Sequence, residues 1–195
     1  MQLALNYSAI SGLKTTPLYD GMGYESDFFG IGDVPYFSDF NIEITKKFSK
    51  KVKATFSYMN LVYNKDVIQG LAGYGTIYAD IGGVDLTYKI KRKRTLRMEF
   101  QGLSTKQDDG SWVQALAEYT MAPHWFLAAF NEHNFGNKKE HKRLHYFTAQ
   151  GGYKNKGNTI TVGYGRQRAG IYCVGGVCRN VPASNGITLA ITSSF

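Results

Sequence analysis

Apolar residues recur at every second position through most of this chain, and that period of two constrains the fold more than any other feature. The clearest case is the last stretch, 185–195, which ends in Ile-Thr-Leu-Ala-Ile-Thr-Ser-Ser-Phe. Successive side chains of a β-strand point to opposite faces, so this pattern predicts a strand with one apolar and one polar face. The apolar face carries Ile187, Leu189, Ile191 and Phe195, interrupted by Ser193.

The same alternation predicts about ten strands of roughly nine to twelve residues, close to the length with which a tilted strand crosses a bilayer core. The predicted strands are 2–13, 37–48, 52–63, 77–90, 95–103, 112–121, 125–134, 144–153, 159–168 and 185–195. Two places are less regular. The stretch 125–134 is apolar on both faces, so its orientation stays unassigned, and Gly82-Gly83 is interpreted as a bulge at which the facing switches.

The connections between these strands alternate in length. Short turns are predicted near 49–51, 91–94, 122–124 and 154–158, whereas longer connections are predicted at 14–36, 64–76, 105–111, 137–143 and 169–184. An antiparallel up-and-down sheet places alternate connections at opposite ends of its strands, so the short turns share one end and the long loops the other. A soluble β-sandwich has no reason to sort its loops in this way.

The alternation, the loop asymmetry and the terminal strand together resemble Gram-negative outer-membrane β-barrels. The resemblance implies an all-β fold, an antiparallel up-and-down transmembrane β-barrel with short periplasmic turns and long external loops. It also implies location in the cell outer membrane, in contact with its lipids and lipopolysaccharide. In that family the terminal aromatic and its alternating neighbours are read by the barrel-assembly machinery, which gives Ile187, Leu189, Ile191 and Phe195 the role of an assembly signal.

A polar face with charges in the middle of strands is the second prediction. These residues are expected to line a wet lumen and to pair across strands: Glu43, Lys53, Asp85, Lys89, Arg97, Glu99, Gln101 and Glu118. The competing interpretation is a soluble, ligand-binding up-and-down barrel, which would bury its apolar face inside. Charges on a continuous mid-strand face favour the membrane barrel over the soluble one.

Composition narrows the function classes. No run of 18 apolar residues occurs, which excludes a transmembrane helix. The net charge of +8 resides in short basic clusters between strands, such as Lys91-Arg92-Lys93-Arg94, and nucleic-acid binding is not predicted. Met1 leads directly into a strand pattern without a signal peptide. The expectation is therefore either a single barrel domain over 1–195 or the C-terminal portion of a larger barrel.

Three local features suggest sites. Cys173 and Cys178 flank Val-Gly-Gly-Val in the last long loop, and a disulfide is favoured because no further zinc ligands lie nearby. Asp20, Glu25 and Asp27 are spaced through a glycine-containing loop, where an acidic external loop is favoured over a calcium site. The loop 14–36 is expected to narrow the lumen.

The four histidines, His124, His133, His141 and His145, raise the question of catalysis. Some outer-membrane barrels are enzymes that act on lipid or peptide at the cell surface. However, Glu132 and His133 are neighbours on one strand and point to opposite faces, so the carboxylate cannot orient the imidazole. The prediction is a non-enzymatic pore, transport channel or structural subunit without cofactor or metal, partnered by membrane lipids and other outer-membrane subunits. A barrel enzyme that acts on lipid or peptide at the cell surface is the alternative.

Overall fold

The structure is a computed structural model that describes residues 1–18, 23–174 and 177–193. Its main sheet contains ten strands. In the sequence, a separate two-stranded sheet comes between the ninth and the last of these strands. The strands are β1 (Gln2–Pro17), β2 (Tyr24–Lys47), β3 (Val52–Asn64), β4 (Thr76–Lys91), β5 (Arg94–Ser104), β6 (Trp112–Met121), β7 (Trp125–Asn134), β8 (His145–Asn155), β9 (Asn158–Gln167), β10 (Gly170–Val174), β11 (Val177–Val181) and β12 (Ser184–Ser193).

Each strand of the main sheet pairs with the next along the chain, and β12 pairs with β9 across the β10–β11 hairpin. Every pairing is antiparallel. The predicted all-β, antiparallel, up-and-down order of ten strands is thus confirmed. The sheet is open: β1 and β12 are its two edges, and across the described residues they do not pair with each other.

The predicted long loop 14–36 is wrong for most of its length. β1 continues to Pro17 and β2 begins at Tyr24, so the described part of the segment is paired strand, and a narrowing of a lumen by it stays a prediction. The pairing shifts register between Ile10 and Lys14. These irregularities, together with four glycines in the segment, interrupt the alternation in sequence without interrupting the backbone pairing.

The predicted bulge at Gly82-Gly83 is also wrong. Both glycines lie in a regular ladder, where Gly82 pairs with Tyr58 and Gly83 pairs with Ser57. The facing of β4 therefore stays constant along these residues. A Cβ atom at Gly83 would lie 2.9 Å from the Ser57 hydroxyl oxygen, so close packing against the neighbouring strand explains the glycine there.

The longer connections carry small elements. A five-residue helix, α1 (Lys65–Gln69), follows β3 and is capped by Asn64, whose side-chain oxygen accepts a hydrogen bond from the Val67 amide. Asp66 accepts hydrogen bonds from the amides of Gly73 and Tyr74 and closes the rest of this loop. A single turn of 3-10 helix, Glu140–Lys142, lies between β7 and β8. No helix among the described residues is both long and apolar enough to span a membrane.

The two faces of the main sheet have opposite character. We call the face that carries Leu5, Phe56, Phe100 and Val162 the apolar face, and the face that carries Lys53, Glu99 and Thr161 the polar face. The small core lies on the polar face, because the β10–β11 hairpin packs there. Its members are Leu116, Phe126, Ala128, Phe130 and Val174, with Val181 packed against them.

Candidate functional site

The strand register brings all the predicted lumen residues to the polar face. Starting from β2, the cross-strand pairs place Glu43 opposite Ser57, Lys53 opposite Thr87, and Asp85 opposite Glu99. The remaining members follow the same alternation on β4, β5 and β6: Lys89, Arg97, Gln101 and Glu118. The structure thus places these side chains on one continuous surface, whose exposure to a lumen remains a prediction.

Arg97 is the centre of a charged network on this face. Its Nε atom donates to Asp85 Oδ2 at 2.6 Å, and its Nη2 atom donates to a carboxylate oxygen of Glu99. Gln101 Nε2 donates to the other oxygen of Glu99. The three charged side chains are between 14% and 33% exposed, so the cluster is partly screened by solvent. It leaves a polar groove of about 450 Å³ that also includes Lys53 and Glu43.

The loop-side end of the polar face is different and was not predicted. Here the alternation continues, but the side chains on the polar face become apolar and form the wall of a cavity of about 360 Å³. The apolar wall consists of Leu61, Tyr63, Ile77, Ala79, Ile81, Leu103 and Trp112. Polar groups enter it from Gln101, Gln114, Glu132 and Arg168. The signal in the sequence is that alternate residues on the polar face become apolar toward the loop end of each strand.

The predicted disulfide is confirmed, since Cys173 and Cys178 are joined at an S–S distance of 2.05 Å. Their loop is a hairpin in which these two cysteines face each other across β10 and β11. Two arginines precede the hairpin and stack on aromatic rings of the main sheet. The guanidinium carbon of Arg166 lies 5.0 Å from the Tyr146 ring centre, and that of Arg168 lies 4.0 Å from the Trp112 ring centre.

Three of the four histidines stack on other rings. His133 and His145 stack on each other with ring centres 3.8 Å apart, and His124 stacks on Tyr153. Glu132 and His133 face opposite sides of β7, as their spacing requires. Among the described residues, no cluster of three or more His, Cys, Asp or Glu side chains could hold a metal ion.

Two further predicted sites include residues that lie outside the described ranges. Asp20 lies outside the described residues, whereas Glu25 and Asp27 are part of β2 and pair with Thr16 and Lys14 of β1. In the terminal strand, Ile187, Leu189 and Ile191 lie on the apolar face and are 81%, 67% and 68% exposed. Phe195 lies outside the described residues, so the assembly signal remains a prediction.

Comparison with known proteins adds a family but no activity. No curated protein matches the chain, and no solved structure matches it. The model of a family of unknown function, DUF6029, matches residues 1–195, and the chain therefore belongs to that family.

Proposed function

We propose that this chain forms the wall of an outer-membrane β-barrel, with the apolar face in lipid and the polar face toward an aqueous lumen that admits small solutes. The observation that carries the proposal is an inverted pattern of burial. On β9, the apolar residues Ile160 and Val162 are 46% and 53% exposed, while the polar residues Thr159 and Thr161 are 7% and 4% exposed. Such an arrangement is favourable when the surroundings are apolar and the enclosed space is polar.

The extent of the exposed apolar face supports the same conclusion. Large apolar side chains more than a third exposed occur on this face from one edge strand to the other, among them Leu5, Phe56, Phe100, Leu127 and Leu189. Soluble proteins rarely leave contiguous apolar patches of more than a few hundred Å² uncovered. A soluble barrel would place these side chains inside, so the competing interpretation fits this face poorly.

Membrane residence requires that both edges of the sheet be paired, because unpaired backbone groups cannot be satisfied in lipid. The register across the sheet supports a pairing of its two edges. A line drawn perpendicular to the strands from Gln2 passes through Glu99 and Phe130 and reaches Gly186 on β12. In a closed barrel of ten strands that tilt by about 35–45° from the barrel axis, that line returns to β1 roughly ten to fourteen residues further along the strand.

That offset would place Gly186 opposite the part of β1 between Gly12 and Thr16, within the range Gln2–Pro17. The two edge strands also run antiparallel to each other, and the polar-face residues of one meet those of the other. The loop-side half of β1 then supplies the partner for β12. We therefore propose that β1 and β12 pair in the membrane.

Cysteine cross-linking tests this closure in a background of Cys173→Ser and Cys178→Ser. Ser8→Cys combined with Ala190→Cys or Thr192→Cys should form a disulfide, since these positions face each other at offsets of about ten and twelve residues. Ser8→Cys with Asp39→Cys is the positive control, because these two residues are already paired between β1 and β2. Cross-linking of the control pair alone, in membrane-inserted protein, would mean that other strands complete the barrel.

Membrane residence itself is tested by expression behind a signal peptide. The chain should appear in the detergent-extracted outer-membrane fraction with heat-modifiable gel mobility. In planar bilayers the protein should conduct ions, and its ion selectivity should change when Lys53→Glu or Glu99→Lys reverses a charge on the polar face. Recovery as a soluble monomer without detergent would contradict the proposal.

A further inference from the structure

The cavity at the loop-side end of the polar face combines an apolar wall with charges of both signs. Its volume of about 360 Å³ lies within the range of small-molecule sites, roughly 300–1,000 Å³. The wall side chains project from the polar face of β3, β4 and β5, and Trp112 at the start of β6 completes it. Unlike the apolar core beneath the β10–β11 hairpin, this apolar wall lines an open cavity, which a solute of matching size could fill.

Glu132 is the carboxylate that remains available in this cavity. It is half-buried on β7, opposite Gln114 and Tyr146, and within the described residues it forms no hydrogen bond and no ion pair shorter than 4.0 Å. The other two acidic side chains at the cavity are already engaged. Asp108 forms an ion pair with Lys65 at 2.8 Å, and Asp109 accepts a hydrogen bond from Asn137 at 3.3 Å.

Arg168 supplies the complementary charge. Its guanidinium group stacks on Trp112, and Arg168 lines the same cavity as Glu132. Stacking fixes the plane of the guanidinium while its N–H groups remain able to donate, and a planar guanidinium suits a carboxylate partner. A purely anionic solute would meet the charge of Glu132, whereas a purely cationic solute would meet that of Arg168.

We propose that this cavity binds a zwitterionic solute with an apolar body, of the size of an apolar amino acid or dipeptide. Its ammonium group contacts Glu132, its carboxylate contacts Arg168, and its apolar side chain lies against Leu61, Ile81 and Leu103. The proposal rests on the barrel function above and assigns that barrel a class of solute. Each charged group of the ligand then exchanges its hydrating water for a fixed side chain of opposite charge, which offsets the cost of desolvating that group.

The test uses the full chain, inserted in detergent micelles, and the fluorescence of Trp112 in a Trp125→Phe background. The probes are the dipeptide Leu-Leu, its N-acetyl derivative, its C-terminal amide and Gly-Gly. Leu-Leu should bind and change the Trp112 emission. Removal of the ammonium charge, of the carboxylate or of the apolar side chains should each weaken binding at least tenfold.

Variants locate the effect. Glu132→Gln should weaken Leu-Leu binding at least tenfold and should have little effect on the N-acetyl derivative, which lacks the ammonium group. Glu43→Gln is the matched control, because it removes a carboxylate from the same face outside the cavity. Equal binding of Leu-Leu and its N-acetyl derivative, equal loss in both variants, or no binding by heat-modifiable protein would overturn this inference and leave the barrel function standing. Failure of the chain to insert into micelles or membranes would overturn the barrel function itself.

Discussion

The two faces of the sheet differ in a way that reverses the usual relation between polarity and burial. Thr161 and Val162 are consecutive residues of β9, yet the threonine is 4% exposed and the valine is 53% exposed. In a water-soluble sheet the valine would be the buried residue, because burial of its side chain is favourable by about 1.5–3 kcal/mol. This reversal is what the proposed placement of the apolar face in lipid accounts for.

The polar face is itself divided. From β2 to β5 it carries the Arg97 network and an open groove, whereas on β6 and β7 its apolar side chains pack with the β10–β11 hairpin. Phe126 and Phe130 are only 3% and 8% exposed beneath this cover. The protein's most conventional packing therefore lies on the polar face, where the hairpin excludes water.

The largest expected effect comes from removing an aromatic side chain from beneath the hairpin. Phe130→Ala should lower the free energy of unfolding by about 3–5 kcal/mol, because a cavity is left among Leu116, Ala128 and Val174. Phe56→Ala on the apolar face is the matched control and should cost less than half as much, since lipid or detergent fills the space. Urea unfolding of micelle-inserted protein measures both, and equal losses would mean that the two faces share one kind of environment.

The next prediction places the same charge on the two faces at the same height. Leu86→Arg puts a cation on the apolar face and should destabilise the inserted protein by about 2–4 kcal/mol if it lies near the bilayer midplane. Thr55→Arg puts it on the polar face between Thr45 and Asp85 and should be tolerated. Unfolding in lipid vesicles separates the two variants. Equal damage from both would contradict the assignment of lipid to the apolar face.

Most of this sheet could be predicted because strand parity is a local property. The segments 112–121 and 125–134 coincide with β6 and β7, and the charged residues of β4 and β5 share a face as their spacing requires. The orientation of 125–134 could not be assigned because both of its faces are apolar. The structure explains why: Phe126, Ala128 and Phe130 face the hairpin, while Trp125 and Leu127 are exposed on the apolar face.

The features that escaped prediction depend on contacts between distant segments. The hairpin packs onto β6 and β7, and nothing near Cys173 or Cys178 indicates that Val174 will be buried there. The cavity combines β3–β7 with Arg168, so its polar groups are scattered over more than sixty residues of sequence. The β1–β2 extension was hidden because glycines and shifts in register disturb the side-chain alternation there more than the backbone pairing.

A smaller effect should follow from loss of the disulfide. Closing so short a loop restricts the unfolded chain by about 2 kcal/mol, so replacement of Cys173 and Cys178 by Ser should leave the main sheet folded. Heat-modifiable mobility should persist, while protease cleavage within 169–184 on whole cells should increase. The hairpin contacts the polar face through Val174 and Val181, and its loosening would also increase conductance. Loss of heat-modifiability would show that the hairpin is needed for the whole sheet.

The smallest effect on stability is expected in the loop after β3, which belongs to neither face of the sheet. The hydrogen bond from the Tyr74 amide is the largest of the causes that act on the pKa of Asp66. Desolvation, the second, opposes it, and the amides of Gly75 and Gly73 help to hold the pKa below its ordinary value. A depressed folded-state pKa means that the ionised carboxylate stabilises the loop above the unfolded pKa, and this stabilisation is lost as pH falls through the folded pKa. Protection of the Gly73 and Tyr74 amides from hydrogen exchange should therefore decline at acid pH, below the ordinary aspartate range, while amides of β7 stay protected. Asp66→Asn, which does not titrate, should remove the pH dependence and leave only weak protection. An unchanged acid response in this variant would assign the transition to another group.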